Sequence, residues 1–180
     1  MTQEIKIAGF GGQGVLSMGK ILAYSGLMDD KEVTWFPAYG PEQRGGTANV
    51  TVILSDDKIS SPILDAYDIV IALNQQSLDK FSPQVKPGGI LIYDTNGINN
   101  RPDRKDITIY PLDVMDAVME ISNPKAYNMV VMGALLEAMS YKLPMENVVK
   151  GLKKSLPERH HKLIPMNESA IEKGRSLLNK

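Results

Sequence analysis

Residues 6–26 read KIAGFGGQGVLSMGKILAYSG. A short apolar run enters a cluster of glycines and leaves it as a helical pattern, with Val15, Met18, Gly19 and Leu22 on one stripe. Gly9, Gly11 and Gly14 fit the spacing G-x-G-x-x-G between a predicted strand and a predicted helix. Glycines let the backbone turn sharply and approach a ligand closely. The unpaired N–H groups at a helix start, at the positive end of its dipole, then stabilise an anion. The plain alternative is a tight strand-to-helix turn that binds nothing. Gly19 costs about 1 kcal/mol relative to alanine inside a helix, so its presence predicts close approach of the helix to a sheet.

Working outward, β-branched apolar runs at 5–9, 33–37, 48–55, 68–73, 90–94 and 107–111 predict strands. Several are continuous rather than alternating, as expected of strands covered on both faces. Helical patterns fall at 14–27, 75–82, 113–121, 125–140, 144–156 and 167–179. The expected fold is a single-domain, Rossmann-like, three-layer α/β/α sandwich over residues 1–180. Nothing helical fits between 33–37 and 48–55, so an antiparallel section is expected in an otherwise mostly parallel sheet. Asn123 before Pro124 and Asn167 are candidate helix caps, and Pro144 can open a helix. Residues 99–106, NNRPDRKD, read as a charged surface loop.

Composition bounds the chemistry. With 180 residues, 43% hydrophobic and 23% charged, the chain can bury an ordinary core. Its longest apolar run, Met129–Leu136, is far short of a membrane span. MTQEIKIAGF lacks the pattern of a signal peptide, and a cytoplasmic location is expected. There is no cysteine. That excludes disulfides, iron-sulfur clusters held by this chain's own thiolates, and a cysteine nucleophile. Residues 150–180 hold eight Lys or Arg against three Asp or Glu, and residues 1–149 hold twelve against eighteen. Lys150, Lys153, Lys154, Arg159 and Lys162 read as a solvated helix face rather than a nucleic-acid site. His160 and His161 are adjacent and poorly placed to share a metal, so they read as an exposed pair. Met129, Met132 and Met139 lie on a helix that is apolar nearly all round, to be buried in the core or beneath a partner.

A dinucleotide site also calls for an acid at the end of the second strand, on the ribose hydroxyls. Here that strand ends Trp35-Phe36-Pro37, and Asp29, Asp30 and Glu32 precede it. This weighs against NAD, FAD and S-adenosylmethionine, although VKPGGILIYD (85–94) looks like a late strand of many methyltransferases. In place of the acid stands PAYGPEQRGGTANVTV, residues 37–52. Its prolines and glycines predict an irregular loop at the same sheet edge as the glycine turn. Arg44 would add a planar, permanent charge there. An ordinary loop with a Glu42–Arg44 ion pair is the alternative.

GFGGQGVLSMGKILA and YGPEQRGGTANVTVILSDDKISSP, with IVIALNQQSLDKF, KPGGILIYDTN, AYNMVVMGALLEA and the closing NESAIEKG, resemble the gamma subunit of 2-oxoacid:ferredoxin (or other acceptor) oxidoreductases over about residues 4–178. The separate short chain with YGPEQRGGTAN looks most like the 2-oxoglutarate members, with branched-chain 2-oxoacid members close behind. The resemblance implies a complex that decarboxylates a 2-oxoacid on thiamine diphosphate, passes electrons through iron-sulfur clusters to ferredoxin or a similar acceptor, and releases an acyl-CoA. It also implies alpha and beta subunits and, where present, a ferredoxin-like delta subunit, and these carry the thiamine diphosphate and the clusters. The Gly-Asp-Gly motif of thiamine enzymes is absent from this sequence.

The resemblance implies that this chain handles coenzyme A, shared with partner subunits, and packs against them. On the matching positions, Gly9, Gly11, Gly12, Gln13 and Gly14 are expected to form the loop, with Tyr39, Glu42, Arg44, Gly45, Gly46 and Thr47 beside it. Which of them touch coenzyme A and which another subunit is left open. No residue is assigned a proton-transfer or nucleophilic step, and none a metal. The isolated chain is expected to expose an apolar patch or to self-associate. Two alternatives stay open: a free-standing dehydrogenase or methyltransferase, and an assembly module whose loop holds no ligand.

Overall fold

The computed structural model describes residues 1–41 and 45–179. β1 (Thr2–Phe10) leads through the glycine turn into α1 (Val15–Leu27), then β2 (Glu32–Tyr39) and β3 (Thr47–Ser55). β4 (Tyr67–Ala72), α2 (Gln75–Phe81), β5 (Val85–Asp94), β6 (Thr108–Leu112) and α3 (Val114–Glu120) follow. The chain closes with α4 (Tyr127–Ala138), α5 (Met145–Ser155) and α6 (Ile164–Ser176). The strands form one sheet in the order β2-β3-β1-β4-β5-β6. β1, β4, β5 and β6 pair in parallel, and β3 is antiparallel to both β1 and β2. The expected antiparallel section is therefore β3, returning from a hairpin that pairs Tyr39 with Ala48. Because β3 reverses twice, β2 runs with β1, and the ends of β1, β2, β4, β5 and β6 share one edge.

Continuous apolar strands arise because both faces of the central sheet are covered. Ile5 and Ile7 of β1 join Val50, Val52, Ile69, Ile71 and Ile92 under α1 and the C-terminal helices. The intervening Ala8 joins Val70, Ala72, Leu91 and Tyr93 against Leu78 and Phe81 of α2. The layer on that second side is thin, built on a seven-residue helix. Lys6 shares it and is only 7% exposed. Its Nζ donates to Asn49 Oδ1 (3.1 Å) and Thr51 Oγ1 (2.7 Å) and lies 4.9 and 5.2 Å from the Tyr67 and Phe81 ring centres. Burial, helped by the charge of Lys80, lowers its pKa to about 8.

The methionine-rich α4 is core: Met129, Met132 and Met139 are all buried. It crosses α6 at two glycines. A Cβ on Gly133 would lie 1.9 Å from Ile171 O, and one on Gly174 1.9 Å from Val130 O. At Gly19 the expected close approach is seen, since a Cβ there would lie 2.6 Å from Val50 Cγ1.

Two expected caps are not used. Asn123 makes no side-chain cap bond; it precedes a short 3₁₀ turn at Pro124–Ala126, and the 125–140 helix starts only at Tyr127. α6 begins at Ile164 rather than after Asn167, because Pro165 sits comfortably in the first turn, where a helix lacks N–H acceptors anyway. His160 and His161 are half-buried rather than exposed: His161 Nε2 faces the carbonyls of Lys153 (3.0 Å) and Leu156 (3.1 Å), and Arg159 Nε donates to His160 Nε2 (3.2 Å). Among the described residues no helix is long and apolar enough to cross a membrane.

Candidate functional site

The site is built at the sheet edge where the parallel strands end. Phe10 closes β1, and the chain turns through Gly11, Gly12 and Gln13 to Gly14, the N-cap of α1. Gly12 and Gly14 have φ of 103° and 79°, left-handed values that favour glycine. At Gly14 space forbids a side chain as well, because a Cβ would lie 2.6 Å from Asn128 Nδ2.

Gln13 buckles the turn. Its Oε1 accepts from Phe10 N–H (2.6 Å), and its Nε2 donates to Leu73 O (3.0 Å) at the end of β4. Gly9 is buried beneath it, and a Cβ there would lie 2.6 Å from Gln13 Oε1. The two expected motifs meet through their backbones. Gly11 N–H donates to Gly46 O (2.8 Å), and Gly45 N–H donates to Gly11 O (3.3 Å). Thr47 pairs with Phe10 across β1 and β3, and Tyr39 stands at the end of β2 beside Ala48. Glu42 and Arg44 lie outside the described residues.

What the turn offers chemically is its amides. α1 has no side-chain cap, and its first internal bond is Met18 N–H to Gly14 O (2.9 Å). The amides of Val15, Leu16 and Ser17 therefore have no intrahelical acceptor. They open on a cavity of about 590 Å³ lined by Gly11, Gly12, Gly14 and Ser17 and walled by Phe10, Trp35, Pro37 and Tyr39. Amides and aromatic residues around one cavity suit a ligand that is anionic and has a flat ring.

A second cavity, about 520 Å³, lies across the same turn. Gly12 and Gly14 border both, and Asp94, Asn96, Lys125, Tyr127 and Asn128 line the second. Asp94, at the end of β5, is 3% exposed. It accepts from Tyr127 Oη–H (2.6 Å) and from Asn96 N–H (3.2 Å). Burial raises the Asp94 pKa, partly offset by those donors, and burial followed by the Asp94 carboxylate raises that of Tyr127. The pair pins the start of α4 to the sheet edge and so holds Asn128 against Gly14. Sequence reasoning missed it; the available signal was an acid closing an apolar strand, ILIYD, and a tyrosine opening the most apolar helix.

The family described as pyruvate ferredoxin/flavodoxin oxidoreductase matches residues 4–177. The ketoisovalerate oxidoreductase subunit VorA of Methanothermobacter thermautotrophicus is 36% identical over 171 residues, which is 95% of this chain but 35% of that protein. A solved gamma subunit of a keto/oxoacid ferredoxin oxidoreductase from Geobacter sulfurreducens superposes with a TM-score of 0.79 at 28% identity, covering 99% of both chains. The 2-oxoglutarate:ferredoxin oxidoreductase of Magnetococcus marinus, solved with 2-oxoglutarate, coenzyme A and succinyl-CoA bound, gives 0.86 at 26% identity, with 99% of this chain covering 31% of that one. This chain thus spans about a third of the length of VorA and of the Magnetococcus polypeptide. With the twin glycine turns at one sheet edge and the match running from β1 into the end of α6, the chain belongs to the pyruvate ferredoxin/flavodoxin oxidoreductase family.

Proposed function

We propose that this chain is the gamma subunit of a multi-subunit 2-oxoacid:acceptor oxidoreductase of the cytoplasm, a single domain over residues 1–180, and that its glycine turn holds phosphates of coenzyme A. The observation that carries the proposal is the docking of the Gly45-Gly46 turn onto Gly11, beside an uncapped helix start. Amides in that setting bind a polyanion without demanding a ribose acid. Arg44 enters on its chemistry alone, as a guanidinium in the adjoining loop. Gln13 and Gly9 position the turn; Gly11, Gly12, Gly14, Tyr39, Gly45, Gly46 and Thr47 border the ligand, with Glu42 in the same loop.

The carbon chemistry belongs elsewhere. A chain without cysteine holds no cluster through thiolates, so electrons from the oxoacid pass through thiamine diphosphate and iron-sulfur clusters on alpha, beta and delta-type companions before reaching ferredoxin or another acceptor. Coenzyme A takes the acyl group as the second product. The oxoacid we favour is 2-oxoglutarate, the acid bound in the Magnetococcus relative. Ketoisovalerate is the second reading, favoured by the 36% identity to VorA.

The test is to purify the intact complex from its source, identify the companion chains, and follow oxoacid-dependent reduction of an acceptor dye. Reduction coupled to acyl-CoA formation, with the highest kcat/KM for 2-oxoglutarate, is expected. A preference for ketoisovalerate corrects the substrate alone. Tight binding of NAD or S-adenosylmethionine by this chain, or turnover by this chain unaided, overturns the assignment.

A further inference from the structure

β2 is the outermost strand of the sheet and, among the described residues, pairs only with β3. None of its eight residues is buried. Yet after Glu32 it reads Val-Thr-Trp-Phe-Pro-Ala-Tyr, without a charge. Proteins that keep an edge strand in water usually blunt it with lysines or shorten it, because its unpaired N–H and C=O groups recruit other chains. Here the strand carries only the charge of Glu32 at its start and Pro37, a proline that also blunts an edge. Trp35 is 39% exposed, Phe36 45% and Tyr39 65%, and Phe10 at the adjoining end of β1 is 38% exposed. Successive residues of a strand face opposite sides, so Trp35 and Phe36 carry the apolar surface around both sides of the edge. Such a concentration of aromatic residues is the composition of an interface core.

The surface is continuous with the candidate site, since Phe10, Trp35 and Tyr39 also wall the larger cavity. A chain that packs on β2 therefore lies against a wall of that cavity. The relatives indicate the kind of chain that does so. VorA and the Magnetococcus polypeptide each join a segment like this one to roughly twice as much further chain. The 2-oxoglutarate synthase subunit KorC of Methanocaldococcus jannaschii, by contrast, is matched over 86% of its own length, and on the gamma-subunit reading this chain likewise has to hold the equivalent of that remainder without a covalent link.

We propose that the β2 edge, centred on Trp35, Phe36 and Tyr39, is the seat of a companion polypeptide equivalent to the remainder of those longer relatives, and that this companion supplies the missing outer wall of the cavity beside the glycine turn. The inference rests on the gamma-subunit reading and adds the face through which that subunit docks. Phe36 lies outside the cavity lining, so it tests docking separately from ligand binding.

The experiment mixes this chain with the companion chains that co-purify with it and measures association by sedimentation, comparing wild type, Phe36→Asp and Met119→Asp. Met119, 64% exposed on α3, is the control for loss of an exposed apolar residue elsewhere. Phe36→Asp is expected to weaken association at least tenfold, with Met119→Asp unchanged. Hydrogen exchange of the wild-type chain supplies a readout independent of folding of the variants: β2 amides should gain protection in the complex and α3 amides should not. Unchanged association of a folded Phe36→Asp chain overturns the proposal, as does β2 exchanging equally fast in both states. So does a self-dimer through β2 that persists inside the complex. The coenzyme A requirement of the assembled complex is read separately, so an acceptor reduction indifferent to coenzyme A sinks the ligand assignment and leaves the docking face standing.

Discussion

At the scale of single residues, the side chains around the glycine turn fix its shape, and the groups proposed to face the ligand are mostly backbone. Gln13 fills both its hydrogen-bonding ends within the protein, and Asp94 spends its carboxylate on Tyr127 and a backbone amide. Lys6 is the residue whose state depends most simply on pH. Its folded pKa of about 8 lies below the ordinary 10.5, so the folded chain prefers it neutral. Below pH 8 it is charged in both states and the burial cost is fully present. Between about pH 8 and 10.5 the folded chain releases the proton first, and this group's contribution to stability rises. Urea unfolding of wild type and Lys6→Met should therefore show the wild type gaining on the variant between pH 7 and pH 9.5, by on the order of 2 kcal/mol. A pH-independent difference contradicts a depressed Lys6. None of this was legible in the sequence: Lys6 sits in an apolar run, and only the antiparallel return of β3 brings Asn49 and Thr51 to it.

At the scale of elements, the βα order and the antiparallel β3 were legible because apolar periodicity and glycine-proline punctuation are local signals. Boundaries carried by a cap were less so, and Asn123 and Asn167 show why. A capping residue type stands at many positions, and proline in the first turn competes with it for the helix start. The α4–α6 contact was invisible, since Gly133 and Gly174 read from sequence as weak helix positions. In the fold they let two backbones meet, each Cβ position blocked by the other helix's carbonyl. Gly133→Ala, which gains helix propensity, should nonetheless destabilise the chain by about 3 kcal/mol through overpacking, measurable by chemical denaturation. Equal or greater stability of the variant contradicts so close a crossing.

At the scale of the whole molecule, the candidate site concentrates at one sheet edge. The hairpin β2–β3 brings the second motif back to the first, and the Gly11–Gly46 bond joins turns 35 residues apart. The sequence reading anticipated that meeting from the winding of the sheet. It did not anticipate the second cavity, because Asp94 at the end of β5 and Asn128 at the start of α4 are remote in sequence from Gly14. The same edge, bounded on one side by β2, which is uncharged after Glu32, is where we propose that the larger cavity meets a companion chain. The central claim is that the glycine turn holds coenzyme A, and Gly14→Ala tests it most directly, since this position has both a left-handed φ and no room for a Cβ. Titrating coenzyme A calorimetrically into the assembled complex, the account predicts at least tenfold weaker binding for Gly14→Ala than for wild type, with assembly and the KM for the oxoacid unchanged. Equal affinity in a variant complex that assembles normally would contradict it.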